Sequence, residues 1–339
     1  MHRLMSILLS TVFALSIWLS MAQINLLAEE DEGVLDSYAE TIASEPYLEK
    51  GRPEDALDPD PELQERIDEF FQSRDYLEDN ISYSFEDLYG NPLAEHNSEL
   101  PQVAASTVKI YTALWIARAV DLGDINWDDP VTYYADLDFE GGTGSLQTWI
   151  TSGESLTIEE LLTLMIEESD NIAFHMLDRH FATTYGGQIA TFYFSERFEL
   201  ALDYSNNILS PEDLIFAYRL IYKHREKDSF AKLIDILKTS EGPTVFPDED
   251  ISHKPGDYGS ASADAGILWR DQRPIFYAVL LHDSGDHTET LEELGDLVLE
   301  TVKKKEAEEL ERLKELEGLE GADESEEQET VSTIFVPAK

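Results

Sequence analysis

Apolar positions recur along this chain with a changing rhythm, and each rhythm predicts a different kind of element. After Pro61, residues Leu63, Ile67, Phe70 and Phe71 fall on one helical stripe. From Ile81 to Leu88 the pattern alternates as a strand does. Tyr89-Gly90-Asn91-Pro92 then supplies a turn into a second strand. The middle of the chain reads as helical. Ser106 to Val120 is an apolar helix, and Thr157-Ile158-Glu159-Glu160 is a capping box ahead of Leu161, Leu162, Met165 and Ile166. Ser210-Pro211-Glu212-Asp213 opens another helix, with Ser as cap, Pro in the first turn and a stripe of Leu214, Tyr218 and Ile221. Strand patterns return at Ile251 to Asp257, Ala263 to Arg270 and Pro274 to His282, and Leu291 to Val302 reads as a closing helix. This order predicts an α+β fold: an antiparallel sheet of about five strands built from both chain ends, with an all-helical lobe inserted between them.

The flanks read differently. Residues 1–22 predict a signal peptide or membrane anchor. His2 and Arg3 are basic, Met5 to Ala22 is free of charge, and Ser20-Met21-Ala22 offers small residues at the two positions a signal peptidase reads. At about 18 residues the apolar stretch is also near the length that spans a bilayer, so a tether fits as well as a cleaved leader. The expected location is extracellular or in the cell envelope. Residues 23–60 read as an acidic linker, 61–302 as the folded domain, and 303–339 as a charged tail, an extended helix or disordered.

Composition narrows the function. The 339 residues carry 71 acidic and 24 basic side chains, a formal net charge of -47. Such a field repels phosphate backbones and anionic membrane surfaces, which argues against nucleic-acid partners and fits a protein adapted to a harsh medium such as high salt or alkaline pH. Cysteine is absent, which removes disulfides, thiolate metal sites and a cysteine nucleophile together. The histidine pairs His175/His180 and His282/His287 are five residues apart, a spacing that places them on different helical faces, so no metal site is expected. No cofactor is expected, and the expected state is a monomer.

The chemistry-bearing residues form a series. Ser106-Thr107-Val108-Lys109 sets a hydroxyl and an amine one helical turn apart, where the amine can take the serine proton if burial lowers its pKa. A helix N-terminus there would also offer free N–H groups to a developing oxyanion. Ser169-Asp170-Asn171 follows about sixty residues on, a hydroxyl and an amide that can share one cleft. Lys254-Pro255-Gly256 begins the late strands; its lysine can hold an anion, and its glycine permits close backbone approach. Two decoys exist, Ser229-Phe230-Ala231-Lys232 and Ser205-Asn206-Asn207. Ser229 has no strand followed by an apolar helix around it.

In this order the motifs resemble those of the class A β-lactamase and penicillin-binding serine hydrolases: Ser-x-x-Lys, Ser-Asp-Asn and Lys-Thr/Ser-Gly. The similarity runs from about Ile81 to Val302. Phe85-Glu86-Asp87-Leu88-Tyr89-Gly90 looks like the family's first hairpin, and His253 to Tyr258 with Asp264 to Ile267 like its active-site strand and return. The resemblance implies a β-lactamase/transpeptidase-like fold and a small-molecule or peptidoglycan-peptide substrate. Ser106 would be the acylated nucleophile, Lys109 its base and Ser169 a proton relay. Asn171 would contact the substrate amide, Lys254 would anchor a carboxylate, and the N–H groups of Ser106 and Asp257 would form the oxyanion hole beside Gly256. The chain departs from the family twice. Pro255 replaces a hydroxyl residue, a loss of about 1.5–3 kcal/mol for a hydrogen bond to a charged group. The interval after Ser169 lacks the family's Glu-x-x-Leu-Asn setting and offers only Glu196 and Glu199, so acylation with slow deacylation is expected. The alternatives are a catalytically silent cell-envelope binding protein on the same fold, and a scaffold whose acidic ends carry the function.

Overall fold

In the computed structural model, residues 56–74, 76–184, 207–270, 273–282, 287–308 and 311 are described. The predicted strands assemble as β1 (Ile81–Glu86), β2 (Pro92–His96), β7 (Ile251–Tyr258), β8 (Ala261–Leu268) and β9 (Ile275–His282), with short pairs β3 (Gln102–Val103), β4 (Pro130–Thr132), β5 (Ser155–Thr157) and β6 (Ile208–Leu209) elsewhere. The main sheet runs β2-β1-β9-β8-β7 and is antiparallel throughout. The fold is therefore α+β, with a five-stranded sheet drawn from both ends of the described domain.

The longer helices among the described residues are α1 (Pro61–Gln72), α2 (Lys109–Leu122), α3 (Ile158–Glu167), α4 (Asn171–Thr184), α5 (Pro211–Lys223), α6 (Asp228–Leu237) and α7 over 288–308, with single turns at Ala135–Asp138 and Leu146–Trp149. Their starts follow local chemistry. Asp60 caps α1 by accepting from the Leu63 N–H, with Pro in the first turn. Thr157 and Glu160 form a reciprocal capping box on α3, and Ser210 and Asp213 form another on α5. Each box satisfies two N–H groups that the helix itself cannot. The boundary that bears on the site differs from the prediction: α2 begins at Lys109, and Ser106 lies before it in a 3₁₀ turn, Ala105–Val108; β8 (Ala261–Leu268) and α7 (288–308) also start two or three residues earlier than expected.

The sheet separates two cores. One face, with Ala263, Ala265, Ala278 and Leu280, packs on the helical lobe formed by α2, α3, α4, α5 and α6. The other, with Leu268, Tyr277, Val279 and Leu281, packs on α1 and α7 through Leu63, Ile67, Phe71, Leu294 and Val298. On the lobe side of the sheet α5 packs on β8 and β9 and α6 on β7, while α2 runs through the middle of the lobe with its residues from Lys109 to Ala117 all buried. The 3₁₀ turn ahead of α2 lies on the edge strand β7 and on β8. No helix among the described residues is long and apolar enough to cross a membrane. The predicted leader and most of the acidic linker lie outside the described residues.

Candidate active site

Ser106 sits half-buried in the 3₁₀ turn that follows β3. The turn is tight because Ala105 takes a left-handed backbone, φ 48°, which costs a residue with a Cβ about 1–3 kcal/mol. Thr107 closes it, its N–H and its hydroxyl both donating to Ala104 O, at 3.1 and 2.6 Å. Lys109 follows as the first residue of α2 and is only 2% exposed.

The Lys109 amine is held by the second motif. Nζ donates to Ser169 O at 2.7 Å, to Asn171 Oδ1 at 2.8 Å and to Ser169 Oγ at 3.1 Å. The Phe174 ring lies 5.7 Å from Nζ. Burial pulls the amine down to about 8, with the Asp170 and Glu140 carboxylates pulling the other way. An amine held by neutral oxygens in a desolvated setting gives up its proton far more readily than a surface lysine.

The second motif is itself a forced turn. Ser169 adopts φ 55° between the end of α3 and the start of α4. Buried Asp170 fixes it, accepting from the N–H groups of Leu146 at 2.8 Å and Ala173 at 2.9 Å. Thr143 Oγ1 donates to Ser169 O at 2.7 Å, and Asn171 Nδ2 donates to Gly141 O at 3.2 Å. The 141–146 segment thus braces the same atoms that receive the lysine. Beside it, Glu140 pairs with His175 on α4.

Strand β7 forms the opposite wall. A Cβ on Gly256 would stand 2.7 Å from Ser106 N, 2.8 Å from Ala104 O and 3.0 Å from Thr107 N, so only glycine lets the strand lie on the nucleophile turn. Lys254 is fully buried, and its Nζ donates to Pro255 O at 2.9 Å. Burial depresses it well below the usual lysine range; Lys109 pushes the same way and Asp264 opposes. Asp264 on β8 accepts from His253 Nδ1 at 2.7 Å, Val245 N at 2.9 Å, Thr244 Oγ1 at 2.9 Å and Tyr277 Oη at 3.1 Å. Asp257, exposed at the end of β7, accepts from the Ser262 hydroxyl.

The fold brings together Ser106, Lys109, Ser169, Asn171, Lys254 and Gly256, with Asp257 next to Gly256 in the chain. Glu196 and Glu199 lie outside the described residues, as do Ser205 and Asn206 of the second decoy. The sequence alone does not mark Thr143, Glu140 or Asp264 as site residues. The Gly141-Gly142-Thr143-Gly144 run was the available signal for Thr143, since such a run marks a backbone that approaches another segment closely. Among the described residues, no group of His, Asp and Glu side chains could hold a metal ion.

The sequence profile described as the Beta-lactamase enzyme family matches residues 62–302. Among solved structures, the chain is similar to PBP-A, with TM-score 0.64 and 22% identity over 74% of this chain and 98% of that one. A PBP-A variant, in an acyl-enzyme complex with penicillin G, gives TM-score 0.62 and 23% identity over 74% and 99%. A representative class A β-lactamase from Bacteroides cellulosilyticus gives TM-score 0.62 and 15% identity over 73% and 99%. No curated protein matches.

Proposed function

Because the chain belongs to the beta-lactamase enzyme family, we propose that it is an exported acyl-serine hydrolase that is acylated on Ser106 and deacylates slowly. The observation that carries this reading is the buried Lys109 amine, pulled down to about 8 and bonded to Ser169 and Asn171 one helical turn beyond Ser106. In acylation the Ser106 hydroxyl proton passes to neutral Lys109, and an O–C bond forms to the substrate carbonyl. The N–H groups of Ser106 and Asp257 receive the oxyanion. The C–N or C–O bond to the leaving group then breaks, and that group takes its proton through the Ser169 hydroxyl. Asn171 orients the substrate amide, and Gly256 keeps β7 close to the turn. Water hydrolyses the resulting ester and returns Ser106. The run Glu199-Leu200-Ala201-Leu202-Asp203 carries Asp where the Glu-x-x-Leu-Asn setting that would activate this water has Asn, which supports a long-lived acyl-enzyme.

The substrate in this reading is a small amide or ester, of the β-lactam or D-alanyl-peptide type. The apolar stretch Met5 to Ala22 supports export, with a membrane tether as the alternative to cleavage. Intact-mass spectrometry of residues 23–339 with a penicillin, followed over time, tests the proposal. An adduct that persists for hours and is lost in Ser106→Ala is expected. Labelling retained in Ser106→Ala would overturn the assignment of the nucleophile. An adduct that vanishes as hydrolysed penicillin accumulates would overturn slow deacylation.

A further inference from the structure

The strand wall of the cleft is poorly equipped to receive an anion. Gly256 lies on the Ser106 backbone, so its neighbours on β7 border the reacting atom. Of these, Lys254 is 0% exposed and its amine is turned to Pro255 O. Burial and the proximity of Lys109 both disfavour its charged form. Pro255 has neither a hydroxyl nor an N–H to offer, and its ring is buried near Gly242, where a Cβ would meet Pro255 Cγ at 2.9 Å. The next residue, Asp257, is an exposed carboxylate.

Among the described residues, the strands beside β7 do not supply the missing cation. Neither β8 nor β9 carries a lysine or arginine. His282, at the matching end of β9, is two strands away, its Nε2 sharing a hydrogen bond with the Ser260 hydroxyl. On the opposite wall the exposed group next to Gly141 is again acidic, Glu140, paired with His175. An incoming carboxylate at this wall would leave water for a site whose one amine is buried and turned to Pro255 O and whose exposed neighbour is negative, a desolvation cost without a matching ion pair. An uncharged group meets no such cost, and an ammonium is attracted by Asp257.

Resting on the acyl-serine reading above, we infer that, among donors of the β-lactam or D-alanyl-peptide type, this site favours those whose leaving portion is uncharged or cationic, with the carboxylate next to the scissile bond esterified or amidated. Asp257 and Pro255 are the residues that set this preference, through the charge of one and the missing donor of the other.

Penicillin G and its methyl ester differ in that carboxylate alone, and each can be followed by the rate of mass-adduct formation on the intact chain, normalised to its own rate of alkaline hydrolysis. The ester is expected to acylate at least about tenfold faster, one charge–charge interaction's worth of discrimination. In Asp257→Asn and in Pro255→Thr the ratio of the ester rate to the acid rate should fall, whatever either change does to the two rates together. Equal rates, or a faster acid, would overturn the inference while leaving Ser106 as nucleophile. No adduct from either donor would overturn the acyl-serine reading, and the inference with it.

Discussion

The chain contains Ser-x-x-Lys twice, and the two copies do not have the same surroundings. In each, the lysine follows the serine by one helical turn. Lys109 is buried and donates to a carbonyl, an amide and a hydroxyl oxygen of Ser169 and Asn171, all of them neutral. Lys232, on α6, has a third of its side chain exposed, pairs with the Glu159 carboxylate of α3 and lies 4.9 Å from the Trp127 ring. Desolvation at Lys109 favours the neutral amine, against the pull of the Asp170 and Glu140 carboxylates. The spacing is common to both copies, and the base is made by what surrounds one of them.

The sharpest way to break this comparison is to remove each amine in turn. Lys109→Met is expected to slow acylation of Ser106 by about 10²–10⁴, the usual worth of a general base. Lys232→Met should leave it within about twofold, as surface changes usually do. Equal losses, read from adduct formation, would mean that the pair is structural in both places. The pH profile sharpens the point. Lys109 accepts a proton only when neutral, and its neutral fraction falls as pH drops through about 8. The acylation rate should therefore fall about tenfold per pH unit below that value and level off above it. A flat profile from pH 6 to 9 would remove Lys109 as the base.

Geometry sets the next effect. Gly256→Ala places a methyl 2.7 Å from Ser106 N and 2.8 Å from Ala104 O, both backbone atoms that cannot swing aside. Either β7 or the nucleophile turn must move. The expected cost is about 1–3 kcal/mol of stability, seen as a lower urea midpoint, with a drop in acylation rate beyond any loss of folded protein. An unchanged midpoint and rate would show that the two walls have slack.

These contrasts also explain what could be read before the structure. The helix starts were legible because a capping box is a local arrangement: Thr157 with Glu160 and Ser210 with Asp213 need only four residues each to close. The sheet was legible because its strands carry their own apolar runs. The start of α2 is not legible in the sequence because the apolar pattern continues smoothly through Ser106, while the left-handed backbone at Ala105 leaves no mark in an alanine. Asp264 was passed over because its importance is a matter of partners. His253, Thr244, Val245 and Tyr277 converge on it from up to twenty positions away, and only the folded sheet brings them together. The deacylation question turned on Glu196 and Glu199, which lie outside the described residues.

Thr143 is the clearest test of a residue that only the structure brings forward. Its hydroxyl donates at 2.7 Å to Ser169 O, the same carbonyl that receives Lys109 Nζ at 2.7 Å. With two donors the carbonyl's lone pairs are shared, and the left-handed turn at Ser169 is held from both sides. Thr143→Val keeps the shape and removes one donor, so about 0.5–1.5 kcal/mol is expected to be lost. The loss should fall mainly on the rate, because the turn would relax and draw Ser169 Oγ and Asn171 Oδ1 away from the amine. Acylation several-fold slower with a nearly unchanged melting temperature, and full recovery in Thr143→Ser, would identify Thr143 as a positioning residue. A fall in melting temperature with the rate per folded molecule unchanged would make it a fold contact only, and would leave Lys109, Ser169 and Asn171 sufficient by themselves.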